Sequence, residues 1–137
     1  MRRVFLTRAE VPGLLRGVLT GDATALRRIL GARRGGRYGA SLAVLAAVAA
    51  VPPGALLALV VAHLGLSFAG HFAARTADLG PRQYQRLVMW ALAAPLLVST
   101  PLRLLGLGAL PAIVAIAVGH GLLWSGLRRG IHWRGLA

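Results

Sequence analysis

Residues 39–73 read GASLAVLAAVAAVPPGALLALVVAHLGLSFAGHFA, a stretch of 35 residues without an acid, an arginine or a lysine. One membrane span needs about 20 apolar residues, so this stretch is too long for one span and short for two spans with a loop. Pro52-Pro53-Gly54 removes two backbone donors and permits a sharp turn. We therefore expect a helical hairpin, with arms from about Gly39 to Val51 and from about Ala55 to Ala74. One long kinked helix is the alternative, because membrane helices tolerate proline.

A second apolar stretch, residues 87–127, contains Pro95, Pro101 and Pro111 and a single charged residue, Arg103. Its 41 residues are enough for two spans joined by a tight turn around 101–108. The two stretches together predict an all-α, polytopic transmembrane bundle. Its four spans form two hairpins that turn at prolines.

The distribution of arginine predicts how these spans are threaded. The chain has 16 basic residues and no lysine among them, and nine of the arginines precede residue 38. With four spans, three groups of arginines lie on the same side of the membrane. They are the nine early arginines, the three between the stretches (Arg75, Arg82 and Arg86) and the three after the second stretch (Arg128, Arg129 and Arg134). Three spans would place six arginines outside, against the positive-inside tendency. We therefore expect both termini in the cytoplasm.

Composition narrows the class of protein. The chain is 57% hydrophobic and 14% charged, which is unusual for a soluble domain. Its net charge is +13, and the arginines that carry this charge flank the apolar stretches. They are not interleaved with aromatic residues, so nucleic-acid binding is not expected. Arginine in place of lysine suggests a bacterial chain, and we predict a multi-pass protein of the inner membrane. The absence of cysteine excludes disulfides and thiolate sites.

Residues 1–38 form a basic, partly apolar segment. Arg2-Arg3 resembles a twin-arginine signal, but charged residues interrupt the next stretch of the chain, so we expect the segment to be retained. One apolar helical stripe is formed by Val11, Leu14, Leu15, Val18 and Leu19. Pro12 suits the first turn, Gly21 a stop, and Asp22 the cap of a second short helix. The two amphipathic helices either lie at the membrane interface on anionic lipid, which we favour, or pack on the chain's own spans.

The predicted organisation has three parts: an interfacial segment 1–38, a four-span membrane domain 39–129, and a basic cytoplasmic tail 130–137. Aromatic residues expected at headgroup depth are Tyr38, Tyr84 and Trp133. Small residues expected to let helices approach closely are Gly65, Ala69, Gly70, Gly119 and Gly126.

Polar residues within the spans are where chemistry would be expected. His63, Ser67 and His71 lie four apart, and His120 lies in the last span. His63 and His71 are separated by roughly 12 Å of helical rise, so they cannot share one metal. Either could pair with His120 to hold a haem iron. The alternative is that each histidine is neutral and bonds to a neighbouring helix.

No arrangement of residues indicates catalysis. The spans contain no carboxylate, and Ser67 and Ser125 lack the Gly-x-Ser-x-Gly setting of a hydrolase nucleophile. We therefore predict that the chain is not an enzyme, and assign no catalytic, cofactor-binding or metal residue.

Four segments between residues 62 and 129 follow one another in a recognisable order: Gly70-His71-Phe72-Ala73-Ala74-Arg75, Leu79-Gly80-Pro81-Arg82-Gln83-Tyr84-Gln85-Arg86-Leu87, Trp90-Ala91-Leu92-Ala93-Ala94-Pro95-Leu96-Leu97 and Leu123-Trp124-Ser125-Gly126-Leu127-Arg128. This order resembles the Yip1 family of small polytopic membrane proteins. The resemblance implies a non-enzymatic, multi-span helical protein with a cytoplasmic N-terminus.

The function expected from these observations is that of an interaction or membrane-organising protein. Its partners would be the bilayer, anionic lipids at the N-terminal arginines, and other membrane proteins. Three alternatives are an accessory subunit of a larger complex, a small transporter, and a haem-binding module.

Overall fold

The computed structural model describes residues 5–76 and 79–128, and within these ranges the chain is helical and has no strand. The expectation of an all-α chain is confirmed for this part. Arg2-Arg3, Asp78, Trp133 and the tail 130–137 lie outside the described residues. Three 3-10 helices cover Arg8–Glu10, Pro53–Ala55 and Thr100–Leu105. The α-helices are α1 (Val11–Thr20), α2 (Ala23–Gly31), α3 (Gly35–Ala50), α4 (Leu56–Thr76), α5 (Pro81–Ser99) and α6 (Leu110–Arg128).

The ends of α1 and α2 follow their sequence signals. Pro12 lies in the first turn of α1, where a missing N–H breaks no helical bond. Gly21 ends α1 in the left-handed region, with φ of 73°. The Asp22 carboxylate accepts hydrogen bonds from the backbone N–H groups of Thr24 and Ala25 at 3.1 and 3.4 Å. The predicted pair of short helices is therefore present.

The apolar stripe of α1 and α2 faces the other helices. Val18, Leu26 and Ile29 have no exposed surface. Helix α1 packs on α5 and α6, and α2 packs on α5 and α3. Of the two arrangements expected from the sequence, the structure has the one in which the stripe packs on the chain's own helices. Val11, Leu15 and Leu19 of the stripe are only partly buried, and contact with lipid at the membrane interface stays a prediction.

An ion pair joins the start of α1 to α2. Arg28 donates to the Glu10 carboxylate from Nε at 2.8 Å and from a terminal nitrogen at 3.1 Å. The backbone N–H of Thr7 also donates to Glu10, at 2.7 Å. The Thr7 hydrogen bond foremost, and then Arg28, hold the pKa of Glu10 below its ordinary value.

The chain breaks and reverses at residues 51–55. Helix α3 ends at Ala50, and α4 begins at Leu56 after the turn at Pro53–Ala55. The break lies at the two prolines, as the hairpin interpretation predicts. The alternative prediction, one long kinked helix, is wrong. The two arms scarcely touch, however, because α3 packs chiefly on α5 and α4 on α6.

Helices α3 and α5 run parallel along their lengths. Gly36 lies against the Arg86 side chain near the start of both helices. At the other end, Arg103 donates to the carbonyl of Ala49 at 3.3 Å. A cation suits the C-terminus of a helix, where carbonyls lack partners. The single arginine of the second apolar stretch thus binds the end of α3.

Helices α4 and α6 run opposite to α5. Gly119 of α6 lies against Ala91, and Trp124, five residues later, bonds to Tyr84. Since α4 is parallel to α6, the starts of α3 and α5 and the ends of α4 and α6 share one end of the bundle. We name it the arginine end. The turn end holds Pro53–Ala55 and Thr100–Leu105.

Helix α5 lies at the centre of the bundle, in contact with α1, α2, α3, α4 and α6. Trp90, the largest fully buried side chain, packs on Gly39 and donates its indole N–H to the carbonyl of Gly35 at 2.9 Å. A side chain at Gly39 would occupy the place of the Trp90 ring. The α3–α5 contact therefore depends on small residues at the start of α3.

The small residues of α6 pack as expected, and those of α4 only in part. Gly119 lies against α5, and Gly126 lies against Gly21. On α4, Gly70 contacts Tyr84 and Trp124, whereas Gly65 has nothing near it. Five residues along a helix turn through about 140°, so these two glycines cannot share one packed face.

Within residues 5–76 and 79–128, three helical segments are long and apolar enough to cross a membrane: Pro53–Phe72, Pro81–Leu105 and Leu110–Arg128. Helix α3 has 16 residues, a rise of about 24 Å against a hydrocarbon core of about 30 Å. The membrane-spanning character predicted from the sequence is thus supported for three of its four segments.

Protonation of Glu10 is expected to loosen α1 from α2. Because the folded-state pKa is lowered, the carboxylate stabilises the fold above its ordinary pKa of about 4.3, and this stabilisation is lost as the pH falls through the lowered value. The thermal unfolding midpoint in detergent should therefore fall as the pH is lowered below about 5, and should fall less in Glu10→Gln. Equal pH dependence of the two proteins would contradict this role of Glu10.

Candidate functional site

A polar cluster lies between α4, α5 and α6, inside the otherwise apolar bundle. Helix α4 contributes His63 and Ser67, one turn apart on one face, α5 contributes Tyr84, and α6 contributes His120 and Trp124. Tyr84 and His120 have no exposed surface, and Ser67 is buried. Five side chains from three helices thus meet where hydrogen bonds must be made within the protein.

These side chains form one continuous chain of hydrogen bonds. The Trp124 indole nitrogen lies 2.6 Å from the Tyr84 hydroxyl, which lies 2.8 Å from Nδ1 of His120. Nε2 of His120 lies 3.1 Å from Nδ1 of His63. Nε2 of His63 lies 3.5 Å from the Ser67 hydroxyl, the longest step. The chain joins the three helices at one level.

The indole of Trp124 fixes the direction of the first bond in this chain, because an indole N–H can only donate. The Tyr84 hydroxyl therefore accepts from Trp124. If the hydroxyl donates its own proton to Nδ1 of His120, then His120 donates from Nε2 to Nδ1 of His63. In the reverse order Ser67 donates to Nε2 of His63, and His63 donates to His120. In either order each histidine accepts with one ring nitrogen and donates with the other.

Tyr84 reaches the cluster because Gly70 leaves space for it. A Cβ atom at Gly70 would lie on the Tyr84 hydroxyl and close to the Trp124 indole. The sequence predicts Tyr84 at headgroup depth, and this depth stays a prediction; the structure shows that neighbouring helices bury the side chain completely. Tyr38, the other described aromatic of that set, is half-buried and stacks on Trp90 with ring centroids 6.1 Å apart.

His71 does not join the hydrogen-bonded chain. Its ring packs edge-on against Tyr84, with centroids 5.3 Å apart. Its Nε2 is buried and has no hydrogen-bond partner among the described residues. Of the histidines singled out in the sequence, the structure therefore pairs His63 with His120 and leaves His71 closer to the arginine end.

The His63–His120 contact does not fit the haem hypothesis. With metal–nitrogen bonds of about 2 Å, two axial ligands stand about 4 Å apart with the macrocycle between their rings. Here the two nitrogens are 3.1 Å apart and share a hydrogen bond. Among residues 5–76 and 79–128, no three metal-binding side chains gather at one point.

The arrangement is also unsuited to activating a nucleophile. A hydrolase serine needs a histidine nitrogen that accepts its proton. Here Nε2 of His63 lies 3.5 Å from the Ser67 hydroxyl, and Nδ1 of His63 bonds to His120 in the place where a triad has an orienting carboxylate. The described acids, Glu10 and Asp22, are engaged at α1 and α2. The cluster is suited to holding three helices in a fixed register.

The sequence identified three of the five members of the cluster and missed Tyr84 and Trp124. Polar atoms on their otherwise apolar side chains were the available signal, since a buried hydroxyl or indole N–H needs a partner. Which helix would supply that partner depends on helix packing. Periodicity does not reveal it, because α4 and α6 are apolar nearly all round.

Removal of the Tyr84 hydroxyl should destabilise the bundle more than removal of the Trp124 donor. Tyr84→Phe leaves two groups unpaired, the Trp124 N–H and Nδ1 of His120, whereas Trp124→Phe leaves the Tyr84 hydroxyl with His120. We expect losses of about 2 and about 1 kcal/mol in the free energy of unfolding in mixed micelles. Tyr38→Phe is the matched control, since Tyr38 contributes a stacked ring and its hydroxyl has no partner in the described residues. Equal effects of Tyr84→Phe and Tyr38→Phe would show that the chain of bonds contributes nothing.

Comparison with known proteins finds no matching family model, no similar curated protein and no similar solved structure. The resemblance of residues 62–129 to the Yip1 family therefore stays a prediction from the sequence.

Proposed function

We propose that the chain is a four-span protein of the bacterial inner membrane, with both termini in the cytoplasm. The parallel packing of α3 on α5 is the observation that carries the fourth span. From Gly36 at Arg86 to Ala49 at Arg103, α3 covers nearly the whole length of α5. If α5 crosses the membrane, α3 lies at the same depth beside it. Helix α3 is short, and the segments that flank it complete the crossing.

The positions of the arginines support this orientation. Arg37, Arg75, Arg86 and Arg128 lie at the arginine end. Of the described arginines in α3 to α6 and the segments that join them, only Arg103 lies at the turn end, and it binds the carbonyl of Ala49. Such asymmetry is typical of a protein whose basic end faces the cytoplasm.

For activity, we propose a non-catalytic interaction or membrane-organising role, as the Yip1 resemblance implies. Most polar side chains of the spans are hydrogen-bonded to one another, and such a cluster suits a structural role. The outer face of α4 is broad and apolar, and its large exposed side chains are Leu57, Val60, Val61, Leu64, Phe68 and Phe72. This face is free for lipid or for another membrane helix.

An accessory subunit of a larger membrane complex is the second candidate, and the same face favours it. Helix α4 is the least covered of the three long apolar helices. The small transporter expected as a further alternative has no comparable observation behind it, since His120 is fully buried.

Cysteine labelling tests the threading, because the chain has no native cysteine. Thr24→Cys, Gly54→Cys and Leu107→Cys place single thiols on exposed residues before α3, between α3 and α4, and between α5 and α6. In spheroplasts, a membrane-impermeant maleimide should label Gly54→Cys and Leu107→Cys, and should label Thr24→Cys only after the membrane is opened. The buried control Ala91→Cys should stay unlabelled until unfolding. If Gly54→Cys behaves like Thr24→Cys, α3 does not cross and the four-span proposal fails.

Photo-crosslinking tests the interaction role in living cells. A photoreactive residue at Leu64 or Phe68 should give discrete protein adducts, because these side chains project from the outer face of α4. The same residue at Val98, equally exposed on α5, is the matched control and should give lipid adducts only. Lipid adducts alone from all three positions would argue against a partner on α4.

A further inference from the structure

A cleft remains between α3 and α4 at the arginine end. The two helices follow each other in the chain, but each packs on a different neighbour, so α5 forms the floor between them. The cleft has a volume of about 480 Å³ and is mostly apolar. Its walls are formed by Gly36 and Ala40 of α3, His71 of α4, and Pro81, Arg82, Gln85, Arg86 and Met89 of α5.

A second cavity opens directly above this cleft. It is polar, has a volume of about 490 Å³, and is lined by Arg33, Arg34, Gly36, Arg37 and Arg86. Gly36 and Arg86 line both spaces, so the two lie side by side. The result is an apolar trough with four arginines at its mouth. Each space has the size of a small-molecule site, about 300–1,000 Å³.

The four arginines have no carboxylate near them in the described residues. Glu10 is paired with Arg28, and Asp22 caps α2. Four converging cations repel one another unless an anion joins them. A guanidinium group matches the oxygens of a phosphate with two parallel hydrogen bonds. The mouth is therefore complementary to a phosphate.

The arginines at the mouth are partly held in place. Arg86 lies across Gly36 and donates to the carbonyl of Leu30 at 3.3 Å. Arg34 lies over the ring of Phe5, 5.8 Å from its centroid. Anchoring of this kind lowers the entropy lost when a ligand binds. A Cβ atom at position 36 would press on the Arg86 side chain, so glycine there lets Arg86 lie across the start of α3.

We propose that this cleft binds one anionic phospholipid, with its phosphate among Arg33, Arg37 and Arg86 and an acyl chain in the trough beside Ala40 and Met89. The inference rests on the proposed membrane placement, which puts the mouth at headgroup depth on the cytoplasmic side. Basic pockets between membrane helices on that side are a recurrent setting for acidic headgroups. The trough selects a lipid over a free phosphate, because an inorganic anion would leave the apolar walls uncovered.

Native mass spectrometry of the full chain in detergent tests the proposal. The probes are phosphatidylglycerol, phosphatidylcholine with the same acyl chains, and inorganic phosphate. We expect one phosphatidylglycerol per chain, bound about tenfold more tightly than phosphatidylcholine. Inorganic phosphate at millimolar concentration should not displace it. Equal binding of the two lipids, or full displacement by phosphate, would overturn the proposal.

Two pairs of variants separate a defined site from diffuse charge. Arg33→Gln with Arg37→Gln should weaken phosphatidylglycerol binding about tenfold. Arg16→Gln with Arg27→Gln, which removes the same charge at exposed positions of α1 and α2, should weaken it less than about twofold. Ala40→Phe should fill the trough and abolish binding without a change in charge, whereas Ala58→Phe, on the exposed side of α4, should not. Equal losses in the two arginine pairs would overturn the defined site.

Failure here is distinguishable from failure of the threading. Lipid binding is measured in detergent and needs only the folded bundle, which the unfolding midpoint of each variant verifies. Cysteine labelling reports on the threading independently. Correct threading with no lipid selectivity would refute the cleft alone.

Discussion

The hydroxyl group of Tyr84 is the point at which three helices meet. It accepts a hydrogen bond from Trp124 of α6 and is hydrogen-bonded to His120, which in turn is hydrogen-bonded to His63 of α4. In an apolar medium a polar group without a partner is costly, so this arrangement constrains the register of α4, α5 and α6 together. The space for it comes from Gly70, whose missing side chain lets the hydroxyl approach the backbone of α4.

A second contact of similar kind fixes α3. Trp90 packs on Gly39 and donates to the carbonyl of Gly35, so the start of α3 is held against the centre of α5. At the far end Arg103 binds the final turn of α3. Both contacts place a large side chain of α5, or of the segment after it, on a small or backbone partner of α3. The cleft between α3 and α4 follows from these contacts, since α3 packs on α5 and α4 packs on α6.

The two ends of the bundle differ in character, and the proposed function follows from that difference. The arginine end gathers cations from α3, α5 and the turn before α3 around a mouth that leads into an apolar trough. Among the described residues of α3 to α6 and the segments that join them, the turn end has one arginine, bound to a carbonyl. A polar cluster that is satisfied internally, an exposed apolar face on α4 and a basic end together suit a protein that acts through lipids and neighbouring helices.

Local signals in the sequence account for the helices, for most of their ends and for the reversal of the chain. Proline, glycine and Asp22 act locally, and the length of an apolar run decides whether a helix can cross a bilayer. Which faces meet is a result of packing between helices: Gly70 and not Gly65 points inward, Tyr84 is buried, His63 bonds to His120, and α1 and α2 pack on the bundle. Helix α4 is apolar nearly all round, so its inward face is chosen by the neighbours that cover it and by the polar atoms that need partners. That choice depends on residues distant in the chain, which a local pattern does not contain.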